Sequence, residues 1–173
     1  MYAALVMMRA YALVLGLSVV LPACGSSSDD SAGSAGSAAS PASGTLTGDG
    51  AASYSAASSR CVDTINRYRS TLGLAPYKRW SSAEACADGQ AKSDALSKSA
   101  HGAFGKCNEH AQNECPGYSG APDQMIDRCL AAMWKEGPGG GHYENMRDGE
   151  YTEVACGFYL GADGKTWAVQ NFR

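Results

Sequence analysis

Val154-Ala155-Cys156-Gly157-Phe158-Tyr159-Leu160, then Gly161-Ala162-Asp163-Gly164-Lys165, then Thr166-Trp167-Ala168-Val169-Gln170-Asn171-Phe172 is the stretch that decides the fold. Its two flanks are rich in aromatic and β-branched residues, and the segment between them contains two glycines. That is the pattern of two strands joined by a short loop, so the chain ends in an antiparallel hairpin. Upstream the period changes. Cys61, Ile65, Tyr68 and Leu72 recur at helical spacing after Ser58-Ser59 and stop at Gly73, which predicts a first helix over roughly 59–72. Ser81-Ser82-Ala83-Glu84 has the form of a capping box and opens a second helix running to about Lys98. A third begins near Pro122-Asp123, presents Ile126, Cys129, Leu130 and Met133 on one face, and ends at Gly137-Pro138. His142 to Met146 is expected to form a shorter strand. Helices first and antiparallel strands last make an α+β domain with helices packed on the faces of a sheet.

The remainder of the 173-residue chain bounds the class of protein. With 45% hydrophobic and 18% charged residues there is apolar material for one modest core, and a net charge of -3 without a basic cluster argues against nucleic acid as a partner. At the N-terminus Arg9 precedes an apolar run from Ala10 to Leu21, too short to span a bilayer comfortably, and then Leu21-Pro22-Ala23-Cys24. Residues 1–23 read as a lipoprotein-type signal peptide, with Cys24 the lipidated first residue of the exported chain and the membrane its anchor. From Gly25 to Ser59 the sequence is Ser, Ala and Gly with few larger apolar side chains. Such a segment buries too little to offset its ordering entropy and is expected to be a flexible tether over 24–59, reaching on the order of 30 Å. The folded domain is then 60–173. Setting aside Arg9, Asp29, Asp30 and Asp49 from the 14 basic and 17 acidic residues leaves 13 and 14, nearly balanced. The domain is expected to be monomeric.

Seven cysteines minus Cys24 leave Cys61, Cys86, Cys107, Cys115, Cys129 and Cys156, an even set that suits three disulfides in an exported protein. Connectivity is open among 15 pairings. Cys107 with Cys115 is the first choice, because they bracket a short segment that otherwise lacks a packing pattern. No Cys-x-x-Cys supports a redox motif or a zinc ribbon. A His-Glu-x-x-His zinc helix and a Gly-x-Ser-x-Gly elbow are also missing, and Gly137 to Gly141 lacks the Gly-Lys-Ser/Thr ending of a phosphate loop.

Several short motifs follow one another in a telling order: Asn66-Arg67-Tyr68-Arg69, Gly73-Leu74, Trp80, His101, Asn108-Glu109-His110-Ala111, Met133-Trp134-Lys135-Glu136, Gly141-His142-Tyr143, Ala155-Cys156-Gly157 and Trp167 to Phe172. Together they resemble the CAP superfamily (cysteine-rich secretory, antigen 5 and pathogenesis-related 1 proteins) in a bacterial variant, over essentially all of 60–173. The resemblance implies a three-layer α-β-α sandwich, disulfide-stabilised, with a central antiparallel sheet. It also implies a cleft holding two histidines and two acids. Position by position these are His101, Glu109 in Asn108-Glu109-His110, Glu136 after Trp134, and His142, with Glu114 the alternative to Glu109. Read without the resemblance, His101 is a surface histidine in a loop, His142 a packing residue, and the two glutamates solvated carboxylates. His110 has no counterpart in the family, and Trp80, Trp134 and Trp167 read as packing residues.

Imidazole nitrogens with carboxylate neighbours suit zinc or another divalent ion. That chemistry permits binding, and the resemblance implies a binding module outside the membrane, its cleft taking a divalent metal, a small lipid or a partner protein. The competing reading is a metal-dependent hydrolase, peptidase- or esterase-like, in which Glu109 or Glu136 acts as general base on a metal-bound water.

Overall fold

A computed structural model describes residues 54–173. The signal peptide, Cys24 and most of the tether lie outside the described residues. Helix α1 spans Ser55–Thr71 and so takes in the last five residues assigned to the tether. Strand β1 is Lys78–Arg79, α2 is Glu84–Ser97, β2 is Ala111–Ser119, α3 is Pro122–Lys135, α4 is Gly141–Arg147, β3 is Glu153–Leu160 and β4 is Lys165–Phe172.

The expected hairpin is β3–β4, in register from Val154 opposite Phe172 to Leu160 opposite Thr166, with the Gly161 N–H donating to the Lys165 carbonyl at 2.8 Å. The sheet order is β1-β3-β4-β2, with β1 parallel to β3, so the sheet is mixed rather than wholly antiparallel. Alternation along β3 and β4 divides the core. Val154, Cys156, Phe158, Ala168 and Phe172 point to the face covered by α1 and α3, while Val169 meets Ala87 and Ala91 of α2 on the other. The architecture is the α-β-α sandwich that the resemblance implied. On the α2 side Gly157 permits a close approach, because a Cβ there would lie 2.1 Å from the Ala87 carbonyl carbon.

Three local expectations are corrected and one unanticipated strand is added. His142 to Met146 is not a strand but the body of α4, in which Tyr143 and Met146, three residues apart, are both buried. Ser81 does not cap α2: residues Ser81–Ala83 form a 3-10 turn, and Glu84 instead accepts from Arg79 Nη2 at 2.8 Å. Strand β2 went unread because Gln112, Asn113, Glu114, Pro116 and Gly117 carry no strand signal, and its register slips between Cys115 and Tyr118. Cys107 and Cys115 are not joined to each other. The three disulfides are Cys61–Cys156, Cys86–Cys107 and Cys115–Cys129. Cys115 lies on the β2 face that carries α3, whereas the segment around Cys107 folds back onto α2 in the opposite layer, so the two thiols serve different faces.

Candidate site: two imidazole–acid pairs on strand β2

His101 stands in the turn after α2. Lys98 ends that helix in the left-handed region (φ 55°), and His101 itself has φ 59°, an uncommon conformation for a side-chain-bearing residue. The turn is held by the Cys86–Cys107 bridge and by Gln90 Nε2 donating to the Ala103 carbonyl at 2.9 Å. The His101 backbone N–H donates to Glu114, and its Nδ1 is 2.9 Å from Gln112 Oε1. Gln112 Nε2 is already engaged with Asn171 Oδ1 at 3.0 Å, and Asn171 Nδ2 in turn donates to Gln90 Oε1 at 2.6 Å. With its nitrogen so occupied, Gln112 turns its oxygen to the ring. The imidazole must then donate from Nδ1, which leaves the lone pair on Nε2.

His142 is placed by the turn between α3 and α4. Gly140 allows this turn to fold over Glu136: a Cβ at Gly140 would be 2.4 Å from that of Glu136. Glu136 Oε1 lies 2.6 Å from His142 Nδ1, and Oε2 accepts the His142 backbone N–H at 3.2 Å. Burial pushes the Glu136 carboxyl up, but the hydrogen bonds and charge from His142 and the Tyr143 N–H outweigh it and hold it below its ordinary value. A carboxylate at Nδ1 again makes Nε2 the nitrogen left for a ligand.

Both histidine segments are anchored on three successive residues of β2. Gln112 and Glu114 reach His101, and between them Asn113 donates to the His142 carbonyl at 3.0 Å while its Oδ1 accepts from Asn145 at 2.9 Å. The polar run Gln112-Asn113-Glu114 is buried and is the part of the site that the sequence reading missed. Its signal is a strand of polar residues with no solvent to face.

The expected quartet takes a different form. Glu109 is not beside either imidazole: its Oε1 accepts from the Gly105 N–H and Gln90 Nε2, both at 2.6 Å, and its Oε2 from the Cys107 N–H at 2.9 Å. It braces the loop that carries His101. Glu114, the alternative, is the acid at His101, with Oε2 3.8 Å from Nδ1. The result is two pairs, His101 with Glu114 and His142 with Glu136. Among the described residues, no group of three or more His, Cys, Asp or Glu side chains could hold a metal ion. His110 is exposed, and its ring sits 6.4 Å from that of Tyr151. Trp134 is sandwiched by Tyr68 and Tyr143, and Trp80 lies under the Arg173 guanidinium, so both pack as expected.

Burial raises the Glu114 carboxyl to about 7; the His101 N–H opposes this, and the charge of nearby Asp94 adds to it. Neither oxygen of Asp94 nor Glu114 Oε1 has a hydrogen-bond partner, and burial raises Asp94 as well. Asp88 is likewise raised by burial to about 6, against the Phe158 N–H that it accepts. The sign follows from linkage. Over the range between their ordinary and raised values these acids hold protons in the folded state that the unfolded chain has released, so stability is greater at the acidic end and is lost as pH rises through about 6 to 7. Melting temperatures between about pH 5 and pH 8 should therefore fall with pH, and Glu114→Gln should flatten the slope. A melting temperature that climbs over that range would contradict the protonation assigned to these acids.

A disulfide-stapled α-β-α sandwich with two imidazole–acid pairs anchored by hydrogen bonds to an edge strand defines the class of protein. The family model for CAP, the cysteine-rich secretory protein family, matches residues 62–172, and the chain belongs to that family. Among solved structures it is similar to an outer surface protein from Borrelia burgdorferi, with a TM-score of 0.54 and 15% identity over 70% of this chain and 95% of that one. At that identity the likeness is one of fold. No curated protein matches the chain.

Proposed function

We propose that this CAP domain is an exported, membrane-tethered binding module whose ligand is met by the Nε2 atoms of His101 and His142. One observation carries the reading: each imidazole is tied at Nδ1 to a fixed acceptor while its side chain stays 43% and 36% exposed, respectively. A divalent ion such as zinc suits these donors, with Gln112, Glu114 and Glu136 as the partners that orient the rings rather than as ligands. Because both acids are already committed, such an ion would complete its shell with water or with groups from a small lipid or a partner protein. Export is supported by three disulfides and by a secretory family, and anchoring through Cys24 by the sequence that precedes it.

The hydrolytic alternative has less support. Three donors occupy the oxygens of Glu109, and Glu136 is engaged twice by His142, so neither is free as a general base. Added zinc is expected to raise the melting temperature of the wild-type chain but not that of a His101→Ala, His142→Ala double variant. An equal rise in both, or none in the wild type, would remove the ion from the account.

A further inference from the structure

The α2 layer exposes side chains on both sides of His101 that take no part in the histidine pairs. Among the exposed residues from Ala85 to Asn108 are three lysines, Lys92, Lys98 and Lys106, and no carboxylate. The acids in this stretch are withdrawn: Asp94 is buried, and Asp88 is half-buried and turned to the Phe158 N–H at 2.7 Å. The same stretch holds Leu96, 67% exposed, and Phe104, 48% exposed, two of the three large hydrophobic side chains that stand in solvent among the described residues. On α2 the buried positions Ala87, Gln90, Ala91, Asp94 and Ala95 face the sheet. Lys92 and Leu96, one turn apart, lie on the side of the helix away from it. The loop carrying Phe104 and Lys106 runs back along the helix, fixed by Cys86–Cys107 and by the Gln90–Ala103 hydrogen bond. Helix and loop are thus tied at two points and between them expose two apolar side chains and three ammonium groups.

We propose that this face docks on an anionic lipid surface, the apolar tips entering the headgroup region while the lysines meet lipid phosphates. The chemistry favours a bilayer over an acidic protein. Protein interfaces are built on aromatic and arginine anchors that fill pockets, whereas flexible, strongly hydrated lysines around protruding apolar tips suit a fluid, negatively charged plane. The docking does not depend on the Cys24 anchor, which would only raise the local concentration of the face at the membrane.

Hydrogen–deuterium exchange of the exported chain tests it, with vesicles of phosphatidylcholine alone and of phosphatidylcholine mixed with phosphatidylglycerol. Peptides covering 92–107 should be protected only in the anionic vesicles, and high salt should reverse the protection. The exposed substitutions Lys92→Glu, Lys98→Glu and Lys106→Glu together should weaken the interaction roughly 100-fold or more, and Leu96→Ser with Phe104→Ser should shorten its lifetime. Equal exchange in the two vesicle types overturns the proposal, as does protection confined to another face. The exchange is run without added zinc and the substituted lysines and apolar residues are not partners of either histidine, so the proposal can fail while zinc binding at the histidines stands, and the reverse.

Discussion

Gly157→Ala should destabilise the domain by about 3 kcal/mol or more, lowering the melting temperature by roughly 10 °C or more. The cause lies in the layer contact. An added Cβ would be 2.1 Å from the Ala87 carbonyl carbon, 2.4 Å from the Ala87 Cβ and 2.4 Å from the Asp88 N. Two of these three are backbone atoms near the start of α2, so no side-chain rotation relieves the clash and the helix must lift from the sheet. Lifting α2 also moves Gln90 and the loop that holds His101. Thermal unfolding of the variant measures the effect, and a shift of only a degree or two would mean that α2 does not sit this close to β3.

The second large effect concerns the Cys61–Cys156 bridge, which ties α1 to β3 across a sequence separation of 95. Cross-links that close longer loops remove more entropy from the unfolded chain, about 4–5 kcal/mol for this loop against about 3 for the separations of 21 and 14 closed by the other two bridges. Alanine pairs should therefore rank, with Cys61→Ala, Cys156→Ala the most damaging under denaturant. If removal of Cys115–Cys129 proves the costlier loss, loop length is not what these bridges act through.

What could be read from the sequence follows from where the period was clean. The β3–β4 hairpin announces itself through aromatic and β-branched residues around a glycine-containing loop, and helices α1 and α3 through helical spacing of apolar residues, whereas α2 was placed only by Ser81-Ser82-Ala83-Glu84, which does not cap it. Helix α4 was misread because its seven residues offer only Tyr143 and Met146 as a buried face, too few to separate a short helix from a short strand. Strand β2 was missed for the opposite reason: its polar residues are buried by partners distant in sequence, Gln90, Asn145 and Asn171, which no local pattern can show. The disulfide guess failed on the same ground, since pairing depends on which face of β2 Cys115 takes. His101, His142 and Glu136 were singled out by motif, and the structure pairs His142 with Glu136. The choice between Glu109 and Glu114 was not, because it turns on the loop conformation at Asn108 (φ 62°) and the register of β2, both tertiary facts.

The central claim is that two imidazoles, each fixed at Nδ1, act together on one ligand through Nε2. Long-range proton–nitrogen NMR spectra of the histidine side chains, recorded as zinc is added, test it most directly. The account predicts that His101 and His142 both carry their proton on Nδ1 in the free protein, and that both Nε2 signals shift in step over one equivalent of metal while His110 stays unchanged. If only one of the two responds, or if either ring holds its proton on Nε2, the histidines do not form a common site.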